Sequence, residues 1–306
     1  MKIFRGFEEV KVIRNPVVTT GSFDGVHIGH KAILGRLRML AEKHNGESVL
    51  ITFDPHPRKV LYPETAGKNL KLINTQEEKL ELLEKAGLNN VIIVEFTLGF
   101  SKITSEEFVR DYLQGMLHAK VVVVGFNHHF GFNQEGDYRK LWEWQGKYNF
   151  EAEEIPEQDV QHEAVSATKI RKAISEGYIQ RANAYLDHYY VVTGKTERYI
   201  QEGFSDRLSF HRILITDECK LLPSPGIYAV STGSGQDYSK GMAVIWKNSE
   251  SKTEVLLNIF EEVSLVPDDR ISVSFHKKIY GAVNLTDSKA NLRICSAKEE
   301  ISDLIY

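Results

Sequence analysis

The chain has 306 residues, with 38 Lys and Arg against 42 Asp and Glu, 42% hydrophobic and 26% charged. This balance excludes a disordered or fibrous protein and, at ~150 residues per domain, leaves room for about two domains. A net charge of -4 offers no broad attraction to nucleic acid or an anionic membrane, so neither is an expected partner, although a local basic cluster can still hold phosphate. The apolar stretch Pro16 to Thr20 is far shorter than the ~18 residues of a membrane span and no secretory pattern precedes it. Cys219 and Cys295 form no CxxC pair. A cytoplasmic protein with two packed thiols is therefore expected, without a disulfide framework or zinc ribbon.

In chain order, Val17-Val18-Thr19-Thr20 reads as a buried strand. Ile28 to His44 reads as a helix, with Ile28, Ile33, Leu34, Leu37 and Leu40 near helical spacing, and Ser48 to Phe53 as the next strand. Glu77 to Ala86 is helical and ends at Gly87, followed by a strand over Val91 to Val94. Ser105, with Glu106 and Glu107 behind it, opens a helix to about Leu117, and Lys120 to Val124 is the most β-branched run. A strand near Glu151 to Ile155 lies among helices at Tyr138 to Lys147, Ser166 to Glu176 and Tyr178 to Leu186. This alternation predicts a parallel α/β sheet. From about Tyr185 the texture changes: Tyr189 to Thr193, Arg212 to Thr216, Gly226 to Ser231, Met242 to Trp246, Glu254 to Ile259 and Ile271 to Phe275 are short strand-like runs between turn residues. Six such runs predict a small β-barrel. The expected domains are residues 1–184 and 185–306, with the border inside Arg181 to His188.

The chemistry concentrates in Gly21-Ser22-Phe23-Asp24-Gly25-Val26-His27-Ile28-Gly29-His30, between the first strand and the first long helix. A strand end feeding a helix start is where open α/β sheets bind ligands, and helix-start N–H groups favour phosphate. His27 and His30 lie three apart, so both imidazoles can reach one polyphosphate as donors or cations. An isolated HxxH is as readily a metal pair or two surface residues, but the strand-turn-helix setting with Gly25 and Gly29 favours phosphate.

This segment resembles the signature of the HIGH-type nucleotidyltransferases, and its Phe-Asp-Gly form is similar to the bacterial bifunctional riboflavin kinase/FMN adenylyltransferase (FAD synthetase) family. Three further motifs follow in the family's order: Thr52-Phe-Asp-Pro-His-Pro57, Val124-Gly-Phe-Asn-His-His-Phe-Gly131 with Gly136-Asp137, and Val165-Ser-Ala-Thr-Lys-Ile-Arg171. The resemblance implies a Rossmann-like nucleotidyltransferase domain followed by a riboflavin-kinase-like β-barrel. It implies transfer of AMP from ATP to FMN, with magnesium accompanying ATP and no protein metal ligands. It also implies catalytic roles for His27, His30, Asn127, Ser166, Thr168 and Arg171, and nucleotide contacts from Gly21, Phe23, Asp24, Gly29, Gly125 and Lys169. Pro55, His56, Pro57 and Phe130 are the implied flavin contacts. From the residues alone, Pro55-His56-Pro57 has the secondary reading of a rigid loop, Asn127 that of a turn former, and Ser166 that of a helix cap beside solvated Lys169 and Arg171, which is compatible with a phosphate site. Ala167 stands where the family motif has a second Ser.

In the C-terminal part, Tyr190-Val-Val-Thr-Gly194, Lys220 to Val230 and Gly241-Met242 resemble the kinase barrel, and Glu254 falls at its catalytic Glu. The Gly-Phe-Pro-Thr-Ala-Asn signature is replaced by Leu208-Ser209-Phe210-His211-Arg212, which puts Phe210 and Arg212 for the Thr and Asn that hold magnesium and ATP. A ring and a cation are no ligands for a divalent metal. The expectation is a degenerate barrel with Glu254 as a vestigial base. A fully bifunctional enzyme and a non-catalytic flavin- or nucleotide-binding paralogue with a regulatory role are the open alternatives.

Overall fold

The computed structural model describes residues 1–160, 163–199, 209–234, 237–248, 250–261, 268–285, 287 and 290–304. It divides into two compact units, Met1–Leu70 with Lys79–Ser166, and Lys71–Glu78 with Ala167–Tyr306. The border expected from composition and this division by contacts fall at different places, because the helices just before residue 184 group with the barrel strands.

In the first unit, β1 (Lys2–Arg5), β2 (Val17–Thr20), β3 (Ser48–Asp54), β4 (Asn90–Glu95), β5 (Val121–Gly125) and β6 (Glu151–Ile155) form one sheet in the order β1-β4-β3-β2-β5-β6. Every pairing is parallel. The inner strands are apolar on both faces because both are covered, as parallel sheets require. Successive side chains alternate: Val17, Leu50, Val91 and Val123 pack with α1 (Ile28–Lys43) through Leu34 and Leu37, while Val18, Ile51, Ile92 and Val124 pack with Val109 and Leu113 opposite. Each such fully buried side chain contributes about 1.5–3 kcal/mol.

Two features depart from expectation. Edge strand β1 has no strong apolar pattern, and its burial pattern is mostly exposed, so it forms by pairing with β4. The helix opens at Ser105 as expected, but its cap is Thr104, whose side chain accepts from the Glu107 N–H at 3.2 Å while Glu107 accepts from the Thr104 N–H at 2.9 Å. This reciprocal box satisfies two helix-end donors. Beyond α2 (Pro57–Leu61), α3 (Gln76–Lys85) and α4 (Ser105–Glu107), residues Phe108–Met116 continue as a π-helix, a form concentrated at functional sites. Helix α5 (Tyr138–Tyr148) and the ribbon β7 (Asp159–Val160) and β8 (Glu163–Ala164) complete the unit.

The second unit holds α6 (Ala167–Glu176), α7 (Ile179–Leu186) and six antiparallel strands, β9 (Tyr190–Tyr199), β10 (Phe210–Leu214), β11 (Gly226–Ser234), β12 (Asp237–Lys247), β13 (Thr253–Ile259) and β14 (Arg270–Tyr280). They close in the order β10-β13-β12-β11-β14-β9, which leaves no unpaired sheet edge. The closing helix α8 (Ala290–Asp303) was not anticipated. It turns Ala290, Ile294, Ala297 and Ile301 onto Ile227, Met242 and Val244 of the barrel. Cys295 stands exposed on that helix and Cys219 is half-buried, which corrects the expectation of two packed thiols. Leu208 of the altered signature lies outside the described residues.

Candidate active site

After β2 the chain builds β3 and β4 on one side, then returns to add β5 and β6 on the other. The carboxyl ends of β2 and β5 therefore flank the switch point, where such sheets bind ligands. A cavity of about 600 Å³ opens there, lined by Thr20, Gly21 and Ser22 after β2, Phe53, His56, Pro57 and Arg58 after β3, and Asn127 to Gln134 after β5.

The turn after β2 is strained. Phe23, Gly25 and Val26 have φ of 49, 90 and 41°, and a β-branched residue in that region is a genuine outlier. Strain of this kind persists only when the surroundings over-determine it; here Phe23 and Val26 are buried in the sheet core at 2% and 1% exposure. The turn delivers His27 and His30 face to face, with ring centroids 3.7 Å apart, and Phe23 stacks on the far side of His30 at 4.3 Å. Gly29 leaves the space this needs, since a Cβ there would sit 3.2 Å from the His27 ring. Phe23 and Asp24 are buried, 2% and 5% exposed. Burial first, then His27 and Lys79, hold His30 well below its ordinary 6.5. At neutral pH His30 is an uncharged donor and not a cation. Its buried Nδ1 has no hydrogen-bond partner among the described residues, an open valence of the kind ligands satisfy.

The opposite wall is aromatic. Phe53, Phe96 and Phe100 contact one another at centroid distances of 5.4–5.9 Å, Phe108 lies 6.4 Å from Phe100, and Phe130 lies 6.0 Å from Phe108. Such a surface suits a flat heteroaromatic ring system. Of these, only Phe130 was named as a flavin contact from sequence; Phe53 lies in the Thr52 to Pro57 motif at the end of β3, and Phe96, Phe100 and Phe108 follow β4 outside any motif. Pro57 starts α2, and the His56 ring accepts from the Arg58 N–H at 3.2 Å. This makes Pro55-His56-Pro57 a cap against the cavity and more than a rigid loop, although Pro55 does not line it. Asn127 enters with φ 57°. Its loop is fixed by Glu135, which accepts from the Ser105 N–H at 3.0 Å and the Ser105 hydroxyl at 3.1 Å. Gly125 lies close under α1, where a Cβ would meet Ile33 at 3.0 Å. Arg58 is the only Lys or Arg lining the cavity among the described residues, and sequence reading passed over it.

Ser166 ends the first unit exposed. Thr168 and Lys169 are exposed on the first turn of α6 in the second unit, and Arg171 follows half-buried. In the barrel, Phe210 is core, 2% exposed among Ile227, Met242 and Leu256. Arg212 stands 3.5 Å from Glu254 and also pairs with Glu197 at 3.1 Å. The other Glu254 oxygen accepts from Asn248 at 2.9 Å. Among the described residues no three His, Cys, Asp or Glu side chains come together as a metal site, and no helix is long and apolar enough to cross a membrane.

Three histidines tie the fold to pH. Burial brings His276 to about 4; burial and then His129 bring His128 to about 4, and His30 is lowered as well. The unfolded chain takes up these protons near pH 6.5 while the folded chain does not, so this stability is full above about 6.5 and drains as pH falls toward 4. The urea midpoint of the intact chain is expected to be lower at pH 5 than at pH 7.5; equal midpoints would contradict the burial of these rings.

A family model described as FAD synthetase matches residues 10–169. The bifunctional riboflavin kinase/FMN adenylyltransferase of Listeria monocytogenes is 32% identical over 270 residues, 87% of this chain and 81% of that protein. A second Listeria monocytogenes protein, an FAD synthetase, is 31% identical over 72% of this chain and 82% of its own length. The Escherichia coli K12 bifunctional enzyme is 28% identical over 80% of this chain and 78% of its own. A crystal structure described as a macrolide-efflux protein from Streptococcus pneumoniae matches with a TM-score of 0.83 and 21% identity, over 99% of both chains, which shows a shared fold.

Proposed function

This chain belongs to the FAD synthetase family, and from that premise we propose that its first unit carries the FMN adenylyltransferase reaction while its barrel does not phosphorylate riboflavin. The enzyme joins ATP and FMN to give FAD and pyrophosphate. A phosphate oxygen of FMN forms a bond to the α-phosphorus of ATP, and the bond from that phosphorus to the bridging oxygen of pyrophosphate breaks in line. The protein supplies no covalent nucleophile; it positions the two phosphates and stabilises the charge between them. Supporting this reading is one observation above the rest: the switch-point cavity is lined by Gly21 and Ser22, which open the turn leading to the stacked His27 and His30, and by six phenylalanines.

In this reading the neutral His30 donates to phosphoryl oxygens as charge shifts onto the leaving group, with His27 beside it. Gly21 and Gly29 let backbone approach the triphosphate, Asn127 and His56 orient the substrates, and Phe130 stacks on the flavin. By the family resemblance, Ser166, Thr168, Lys169 and Arg171 supply hydroxyls and cations for phosphate. Magnesium would accompany ATP, held largely by its phosphates and water. The cytoplasm is the proposed setting.

Arg58 provides for the FMN phosphate. Arg58→Ala is expected to raise KM for FMN about tenfold, the scale of one charge-assisted contact, with kcat little changed. An unaltered KM in steady-state assays would remove Arg58 from the phosphate site.

For the barrel, one Glu254 oxygen accepts from Asn248 and the Arg212 guanidinium stands 3.5 Å from the other, which puts a cation where a base would have to meet the substrate hydroxyl. The deciding experiment incubates the protein with magnesium and ATP plus either FMN or riboflavin and separates the products. FAD from FMN and nothing from riboflavin is expected. FMN from riboflavin would overturn the barrel assignment, and silence in both tubes would favour a binding paralogue.

A further inference from the structure

Lys79, on α3, is 7% exposed, and neither its sequence context nor the cavity lining marks it. Its ammonium donates to the Ser22 carbonyl at 3.3 Å and to the Thr52 hydroxyl at 3.1 Å, and Thr52 in turn donates to the same Ser22 carbonyl at 3.3 Å. Ser22 sits at the mouth of the strained turn and lines the cavity. A buried cation is costly unless it is paired, and here it faces Asp24 beneath the turn and Asp54 at the end of β3, with His30 as the basic group on α1. We propose that Lys79 is a positioning residue of this site, holding the Ser22 carbonyl and Thr52 hydroxyl and offsetting Asp24, so that the turn presents His30 to the transferred phosphoryl group. This rests on the adenylyltransferase reading above.

Two consequences are measurable. Burial lowers Lys79 to about 8, against the pull of Asp24 and Asp54, so the ammonium and its hydrogen bonds are lost as pH rises through about 8. FAD formation then falls on an alkaline limb near that pH. The same positive charge also discourages protonation of His30, so removing it raises the His30 midpoint.

The test compares the intact protein with Lys79→Met, checking folding by circular dichroism, FAD formation from pH 6 to 9.5, and the His30 titration by NMR. A misplacement of this kind costs roughly 10–100-fold in rate. The expected result is a folded K79M with kcat lowered on that scale, KM for FMN unchanged, no alkaline limb near 8, and a raised His30 midpoint. Parent-like kcat with an unmoved midpoint overturns the proposal. If the parent makes no FAD, the adenylyltransferase reading fails, and the midpoint alone decides Lys79: raised sustains its role, unmoved ends it. Should K79M not fold, Thr52→Val removes one acceptor of the ammonium and shifts the limb below that of the parent; an unshifted limb overturns the proposal.

Discussion

His30→Ala lowers FAD formation about 10²-fold or more, the scale of a lost transition-state donor in a water-poor site. The alanine removes a ring held between Phe23 and His27 at centroid distances of 4.3 and 3.7 Å, so no neighbouring group can swing into its place without disrupting the strained turn. The loss falls on kcat, because the donor matters most when charge develops on the phosphoryl oxygens. The neutral ring is the working form. Since His30 is held well below 6.5 by burial, then His27 and Lys79, the parent rate holds as pH drops through 6.5 and declines only further into acid. Single-turnover assays at saturating ATP check this, with far-UV circular dichroism to confirm the variant's fold. A variant with undiminished turnover would end the assignment.

The largest stability effect is expected at Lys220→Met, in the second unit. Lys220 and Glu78 have side chains 0% and 1% exposed and pair at 2.6 Å. The Lys220 ammonium also donates to the carbonyls of Ile73 at 2.7 Å and Val191 at 2.6 Å, and stands 4.5 Å from the Tyr190 ring centre. Glu78 accepts in addition from the Thr193 N–H at 2.8 Å and the Thr75 N–H at 2.9 Å. Removing only the cation strands a buried carboxylate and two carbonyls, at a cost of about 3–5 kcal/mol. For a unit of this size that corresponds to a fall of roughly 10 °C in its unfolding transition. Adding Glu78→Gln to Lys220→Met removes the stranded charge and keeps an oxygen acceptor for one of the two N–H groups, so the double variant recovers part of the loss. Calorimetry distinguishes the cases; a double variant no more stable than Lys220→Met would show that the charge was not the cause.

Much of the fold was legible because its signals are local. The β-branched runs of β2 and β5, the helical spacing of α1, and six short runs between turn residues reflect side-chain periodicity, which covers neighbouring positions. Edge strand β1, the π-helical turn at Phe108–Met116 and α8 were not legible in the same way. Each gains its stability from a partner distant in sequence: β4 for β1, the sheet for the π-helix, and Met242 and Val244 for α8.

The candidate site divides along the same line. The sequence by itself determined the family, the candidate phosphate turn with its two histidines, and the altered barrel signature, because each lies in one contiguous stretch whose residue types carry the chemistry. Only the tertiary structure decided that Phe23 and Asp24 lie beneath the turn, that His30 stays neutral, that five phenylalanines from separate segments make one wall, and that Arg212 and not Phe210 stands against Glu254. Those properties depend on burial and on distances between residues far apart in the chain, and neither quantity exists until the sheet and the barrel have closed.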